Sequence, residues 1–177
     1  MNYIKIKKND IANGPGLRTT IFVAGCPHEP KCPNCFNPET YDFNGGSTFT
    51  DDVFNDFIND AKRPNVAGIT LLGGEPMDPR NQAGLLPLVK KFKEECPNKN
   101  VWCYSGFLFD DILKMYSSND ITKELLPLID IIVDGKFIDE LKSPLLIFKG
   151  SSNQRIIDVH QTLKTGNIIE WVKPEYC

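Results

Sequence analysis

No apolar run in this 177-residue chain approaches the ~20 residues needed to cross a bilayer. Positive charge is in short supply too: 20 Lys and Arg stand against 23 Asp and Glu, and the lysines are scattered rather than gathered into a stripe. A basic stripe is the footprint of a nucleic-acid partner, so neither a nucleic acid nor a membrane is expected to bind. The lysines of the opening MNYIKIKKND have no apolar segment behind them, so this stretch does not read as a secretory signal. The expected location is cytoplasmic. In a reducing compartment, clustered cysteines serve metal binding or redox chemistry sooner than disulfides. Repeats, low-complexity tracts and Pro/Gly/Ser linkers are missing as well, which leaves a single domain over residues 1–177 as the expectation. With 41% hydrophobic residues, that domain has the means for one sizeable core.

What is present is an alternation of strand and helix patterns. Leu17–Ala24 (LRTTIFVA) is a β-branched, mostly apolar strand that runs into a cysteine-bearing loop. Asp51–Ala61 places Val53, Phe54, Phe57, Ile58 and Ala61 on one helical stripe, with Thr50 as its cap. Ala67–Leu72 is a short apolar strand closing at Gly73-Gly74. Asn81–Cys96 has helical spacing in Leu85, Leu86, Val89 and Phe92, although Gly84 and Pro87 weaken its first turns. Val101–Tyr104 and Asp130–Val133 read as strands, and Phe109–Tyr116 as a helix. Beyond Gly150 the pattern fades, and residues 151–177 carry no assignment. The alternation predicts an α/β fold with a mostly parallel sheet covered by helices. Ligands in such folds collect at the carboxyl ends of strands. The cysteine loop, Gly73–Pro76 and Tyr104-Ser105-Gly106 all fall there.

The cysteines Cys26, Cys32 and Cys35 follow the spacing C-x5-C-x2-C within GCPHEPKCPNC. Thiolates are soft ligands that suit iron–sulfur clusters and zinc. Three of them with no obvious fourth fit a cluster that keeps one iron open. A structural zinc wants four ligands, and His28 would have to be the fourth, at a cramped two residues from Cys26. The distant Cys96, Cys103 and Cys177 read as ordinary residues. Two classes therefore stand at this point, a cluster enzyme and a zinc-stabilised interaction module without catalysis. A plain electron-transfer ferredoxin lacks its fourth nearby cysteine.

The second segment, Leu71-Leu72-Gly73-Gly74-Glu75-Pro76, follows its strand directly. Two glycines let the backbone approach a ligand closely, and exposed main-chain groups there suit the ends of a small zwitterion. Glu75 either fixes a ligand ammonium or holds the loop through backbone amides. A plain strand-to-helix turn would use the same residues. Tyr104 and Ser105 fit a ligand contact and a buried strand end equally well, and Asp134 and Lys136 fit either the same edge or an exposed turn.

Together these segments resemble the radical S-adenosylmethionine (SAM) superfamily, and within it the glycyl-radical-enzyme activases that serve anaerobic ribonucleoside-triphosphate reductase. The resemblance runs nearly end to end. It covers Asn13-Gly14-Pro15-Gly16, FVAGC leading to the cysteines, GGEPMDPRN at 73–81, VWCYSGF at 101–107, VDGKF at 133–137 and KGSSNQRI at 149–156. Two departures stand out. The family pattern is C-x3-C-x2-C, so this loop carries two extra residues between Cys26 and Cys32. Phe148-Lys149 replaces the usual Trp-Arg, which keeps a cation but not bidentate guanidinium chemistry.

The resemblance implies an open partial (β/α) barrel of the radical SAM type. It implies one [4Fe–4S] cluster held by Cys26, Cys32 and Cys35, with SAM on the fourth iron and no catalytic side chain beyond the cluster ligands. The backbone around Asn34, Cys35 and Phe36 would contact the adenosyl part, and Gly73, Gly74 and Glu75 the methionyl part, with Tyr104 behind them. The implied activity is that of an oxidoreductase which cleaves SAM reductively and leaves a glycyl radical on the reductase large subunit. A low-potential electron donor of flavodoxin or ferredoxin type and a homodimer are the other implied partners. Activation of another glycyl-radical enzyme, or radical SAM chemistry on a small molecule, is the alternative within the enzyme class.

Overall fold

The middle of the chain alternates strand and helix as its apolar spacing predicts, and the computed structural model describes residues 1–173. The elements are β1 (Asn2–Asp10), β2 (Leu17–Val23), β3 (Ser47–Thr48), α1 (Asp51–Ala61), β4 (Val66–Gly73) and α2 (Pro79–Glu95), then β5 (Asn100–Tyr104), α3 (Phe109–Ser118), α4 (Asp120–Leu125), β6 (Ile131–Asp134), β7 (Arg155–Asp158) and α5 (Val159–Thr165). The strands form one seven-stranded sheet in the order β3-β1-β2-β4-β5-β6-β7. β2, β4, β5 and β6 run parallel. β1 joins β2 and β3 antiparallel, and β7 joins β6 antiparallel. The expected parallel sheet is thus the middle of a mixed one.

Both antiparallel additions lie where the sequence pattern was weak. In β1, Ile4 and Ile6 alternate with Lys5 and Lys7, and β3 covers only Asn2 and Tyr3. Most of β1 is therefore an edge, where lysines discourage pairing with another chain. β7 is four residues long and is fixed by its ladder to β6 rather than by any pattern of its own. Helix starts follow local chemistry. α2 begins at Pro79 because Asp78 caps it, accepting the Arg80 N–H at 3.0 Å, and proline at the first position has no N–H to leave unpaired. Thr50 stands at the cap position of α1 without a side-chain cap bond, and Asp51 and Asp52 supply the favourable first-turn charge instead.

Alternation along the strands gives the sheet two unlike faces. Ile21, Val23, Ile69, Leu71, Val101, Cys103 and Ile132 join Phe57, Leu85, Leu88, Phe92, Ile112 and Leu125 from the helices in one core. Each fully buried leucine or phenylalanine there contributes ~1.5–3 kcal/mol. Cys103 is enclosed in this core and Cys96 is buried at its edge, in keeping with their ordinary reading; Cys177 lies outside the described residues. The opposite face buries Arg18, Thr20 and Thr70 beside a small apolar cluster of Trp102, Ile131 and Val133. Arg18 donates to Thr70 Oγ1 and the Ile69 carbonyl, both at 2.6 Å, and to the Pro15 carbonyl at 3.2 Å. It thereby ties β2, β4 and the loop before β2 together. Burial lowers its pKa to about 10. Among the described residues, no helix is long and apolar enough to cross a membrane.

Candidate functional site

The parallel pairing of β2 with β4 sets Val23 opposite Gly73, so the loops that follow these strands leave side by side. Gly74 N–H donates to the Val23 carbonyl at 2.9 Å and Glu75 N–H to the Gly25 carbonyl at 2.8 Å. The glycines are what permit this contact. Gly73 has φ +115°, and a Cβ on Gly74 would stand 2.1 Å from the Gly25 oxygen. Their small size therefore serves first to pack the turn against the cysteine loop. Both glycines also line the cavity that opens at this edge of the sheet.

That cavity has a volume of about 760 Å³, and Cys26, Cys32, Cys35, Phe36, His28 and Tyr104 line it along with Gly73 and Gly74. The three thiols are free and half-buried. Cys35 Sγ accepts Asn37 N–H at 3.4 Å. Burial pushes the Cys26 and Cys32 thiols up. Between the last two cysteines the chain turns tightly, with Cys35 N–H on the Cys32 carbonyl at 3.2 Å and Asn34 at φ +52°. Among the described residues, no three His, Cys, Asp or Glu side chains gather closely enough to hold a single metal ion. The thiols stand around the cavity wall instead.

The side chains of Glu75 and Asn34 find their partners within the protein. Glu75 is fully buried and absent from the cavity wall. Its Oε1 accepts Met77 N–H at 2.9 Å and the Ser105 hydroxyl at 2.8 Å; its Oε2 accepts Gly106 N–H and faces His28 Nε2, both at 2.7 Å. A carboxylate with four partners has no lone pair left for a ligand ammonium, so the loop-holding alternative is the one realised. Asn34 is exposed and directs its amide to Asp139 Oδ2 at 2.7 Å, which ties the cysteine loop to the segment after β6. Phe36 is 66% exposed at the mouth, its ring 4.7 Å from Phe137. Tyr104 reaches across the cavity face, its hydroxyl on the Phe148 carbonyl at 3.0 Å, and burial raises its pKa.

The segments after β6 close the other side. Asp134 is buried and paired with Arg155, whereas Lys136 is half-buried. Gln154 accepts Gly150 N–H at 2.8 Å and donates to the Gly135 carbonyl at 2.8 Å, which folds KGSSNQRI back onto VDGKF. These roles of Gln154 and Arg155, and the anchoring of His28, were not read from the sequence. The available signal was the histidine beside the first cysteine together with the glutamate of GGEP.

The donor set fits an iron–sulfur cluster. Three soft thiols share one wall, and the one nearby imidazole is committed to Glu75. A family model described as a 4Fe-4S single cluster domain matches residues 12–157. Fold and site together define a single-cluster iron–sulfur protein, not a zinc module. Three curated relatives carry the name anaerobic ribonucleoside-triphosphate reductase-activating protein. That of Escherichia coli K12 is 42% identical over 156 residues, covering 87% of this chain and 96% of the relative. That of Haemophilus influenzae is 40% identical, covering 88% and 97%. That of Enterobacteria phage T4 is 35% identical, covering 88% and 93%. The chain belongs to the family of anaerobic ribonucleoside-triphosphate reductase-activating proteins. No solved structure matches it.

Proposed function

We propose that this chain is the activase of an anaerobic ribonucleoside-triphosphate reductase, with Cys26, Cys32 and Cys35 as the protein ligands of one [4Fe–4S] cluster. The observation that carries the reading is the shared wall: three thiols and the Gly73-Gly74 turn line one cavity. When bound, such a cluster with one iron free of protein ligands supplies the electron for reductive cleavage of SAM, the source of a glycyl radical on the reductase. The chain's own residues bind, orient and exclude water. Main-chain groups at Gly73 and Gly74 receive the methionyl end, and Cys35 and Phe36 border the adenosyl end, with Tyr104 behind. Glu75 and Asn34 act from outside the contact layer, one holding the turn and the other the loop.

The same proposal includes the partial (β/α) barrel of the radical SAM superfamily as one domain over residues 1–177. Its partners are the reductase large subunit, a low-potential donor of flavodoxin or ferredoxin type, and a second copy of the chain. The location is cytoplasmic, without nucleic-acid or membrane partners, in keeping with a formal net charge of −3 and scattered lysines. Anaerobic reconstitution with iron and sulfide, followed by EPR of the reduced protein with and without SAM, tests the reading. A [4Fe–4S]⁺ signal that changes shape with SAM is expected, and then a glycyl radical signal once the reductase is added. Tightly held zinc and no such signal would overturn it.

A further inference from the structure

Between β6 and β7, residues 143–150 have no helix or strand, yet they carry the apolar run Leu145-Leu146-Ile147-Phe148. Its side chains divide by position. Leu146 and Phe148 line the cavity, whereas Leu145 is 87% and Ile147 54% exposed. The inner side is anchored: the Phe148 carbonyl accepts the Tyr104 hydroxyl, and the Phe148 ring meets Trp102 edge-on at 5.5 Å between centroids. The outer side faces solvent. The same division continues round the mouth. Exposed Ile11 directly precedes Ala12, and exposed Ile138 directly follows Phe137, both of them lining residues. Exposed Phe36 lines the cavity itself and joins the cysteine loop to this rim, since a methyl on Gly150 would stand 3.0 Å from its ring and 3.1 Å from that of Phe137. Single exposed apolar side chains are ordinary, but a set bordering one opening marks a contact surface.

We propose that Leu145 and Ile147, with Phe36, Ile138 and Ile11, form the surface on which the reductase large subunit docks, seating there the segment that carries its target glycine. This rests on the activase reading above. A glycine Cα–H bond can be broken at this site only if the glycine enters the cavity that holds the thiols, so the partner's chain must cross the rim. A segment that crosses it meets Leu145 and Ile147 outside and Leu146 and Phe148 within, and apolar side chains beside the glycine complement both. Covering the rim also shuts water out of the cavity. A second copy of this chain seated on the rim would instead close the cavity to the glycine. Asp139, Glu140 and Lys142 mix both signs of charge, and Lys142 is paired with Asp139 at 2.7 Å, so the rim offers no basic face to a lipid surface.

The test uses the iron- and sulfide-reconstituted chain and the purified reductase large subunit, with affinity read by anaerobic titration calorimetry in the presence of SAM. Leu145→Glu/Ile147→Glu sets two carboxylates on the rim. Ser117→Glu/Ser118→Glu adds the same charge at two exposed positions on α3 and is the control. The rim variant is expected to load iron and to keep the SAM-dependent change in its EPR signal, yet to bind the reductase at least tenfold more weakly. The control should bind as wild type. Wild-type affinity in the iron-loaded rim variant overturns the proposal. Equal loss in both variants overturns it too, because added charge rather than the rim is then the cause. A benzophenone amino acid in place of Leu145 gives a second readout, and it decides alone should the rim variant take up no iron. Photocross-links to the reductase peptide that contains the glycine are expected. Cross-links to a second copy of this chain, to another part of the reductase or to neither overturn the proposal. The activase reading fails separately, as wild type that shows no SAM-responsive signal or raises no glycyl radical.

Discussion

Arg155 closes the β6–β7 edge on Asp134, donating from Nε at 3.1 Å to one carboxylate oxygen and from Nη2 at 2.5 Å to the other. Asp134 also accepts Phe109 N–H at 2.8 Å, so two strands and the start of α3 hang on one carboxylate. Its side chain is 1% exposed, against 30% for Arg155. Removing the cation strands a buried charge, and Arg155→Met is expected to cost ~3 kcal/mol of stability. Urea denaturation measures it. A loss below ~1 kcal/mol would mark the pair as an ordinary surface bridge.

Gly74→Val is expected to lower iron uptake as well as SAM binding. The added side chain would begin 2.1 Å from the Gly25 oxygen, one residue from Cys26, so the collision falls on the cysteine loop before any ligand. Iron and sulfide analysis after reconstitution reads the effect. Full iron content with lost SAM affinity would instead make the turn a ligand contact alone.

The cysteine series separates ligands from core. Cys26→Ala, Cys32→Ala and Cys35→Ala should each lose cluster retention and SAM cleavage, because each removes one of three thiols on the cavity wall. Cys96→Ala should leave both intact, since Cys96 is a buried residue beyond the end of α2. Iron content and product analysis decide. Full activity in Cys32→Ala would mean that the lengthened loop uses another ligand.

The sequence disclosed one face of the sheet better than the other. Ile21, Val23, Ile69 and Leu71 point into the helical core, and that burial is what apolar spacing records. On the opposite face Arg18, Thr20 and Thr70 are fully buried yet look like surface residues in a pattern. The convergence of the cysteines, GGEP and Tyr104 was legible because parallel strands end at one edge. The working partners of Glu75 and Asn34 were not. His28 lies 47 positions from Glu75, and Asn34 lies 105 from Asp139, separations at which no local pattern reports a contact. For that reason the sequence left Glu75 open between a ligand contact and a holder of the loop.

Acid sensitivity should include a contribution from Asp10. Burial raises its pKa, but bonds from Lys7, Asn13, Ala12 and Thr20 outweigh burial and leave it below the ordinary 3.8. A group held lower in the folded state than in the unfolded one stabilises fully above the ordinary value. That contribution fades as pH falls from there through the folded value. Wild type should therefore exceed Asp10→Asn in stability at pH ~7, with the gap narrowing below pH ~4. Denaturation midpoints across that range measure it. A gap independent of pH would show that Asp10 acts through packing rather than charge.

Glu75→Gln tests whether the buried junction needs a carboxylate. Two oxygens there face Met77 N–H, the Ser105 hydroxyl, Gly106 N–H and His28 Nε2. An amide replaces one oxygen with an NH₂, which sets donor against donor on one side of the group. The Ser105 hydroxyl can rotate to accept, but the amides of Met77 and Gly106 cannot. At least one buried donor is left unpaired, at ~1–3 kcal/mol. Lowered denaturation midpoints are therefore expected. At temperatures well below unfolding, SAM affinity should be reduced only as far as the turn shifts. Unchanged stability combined with abolished SAM affinity would reverse the assignment and return Glu75 to the ligand.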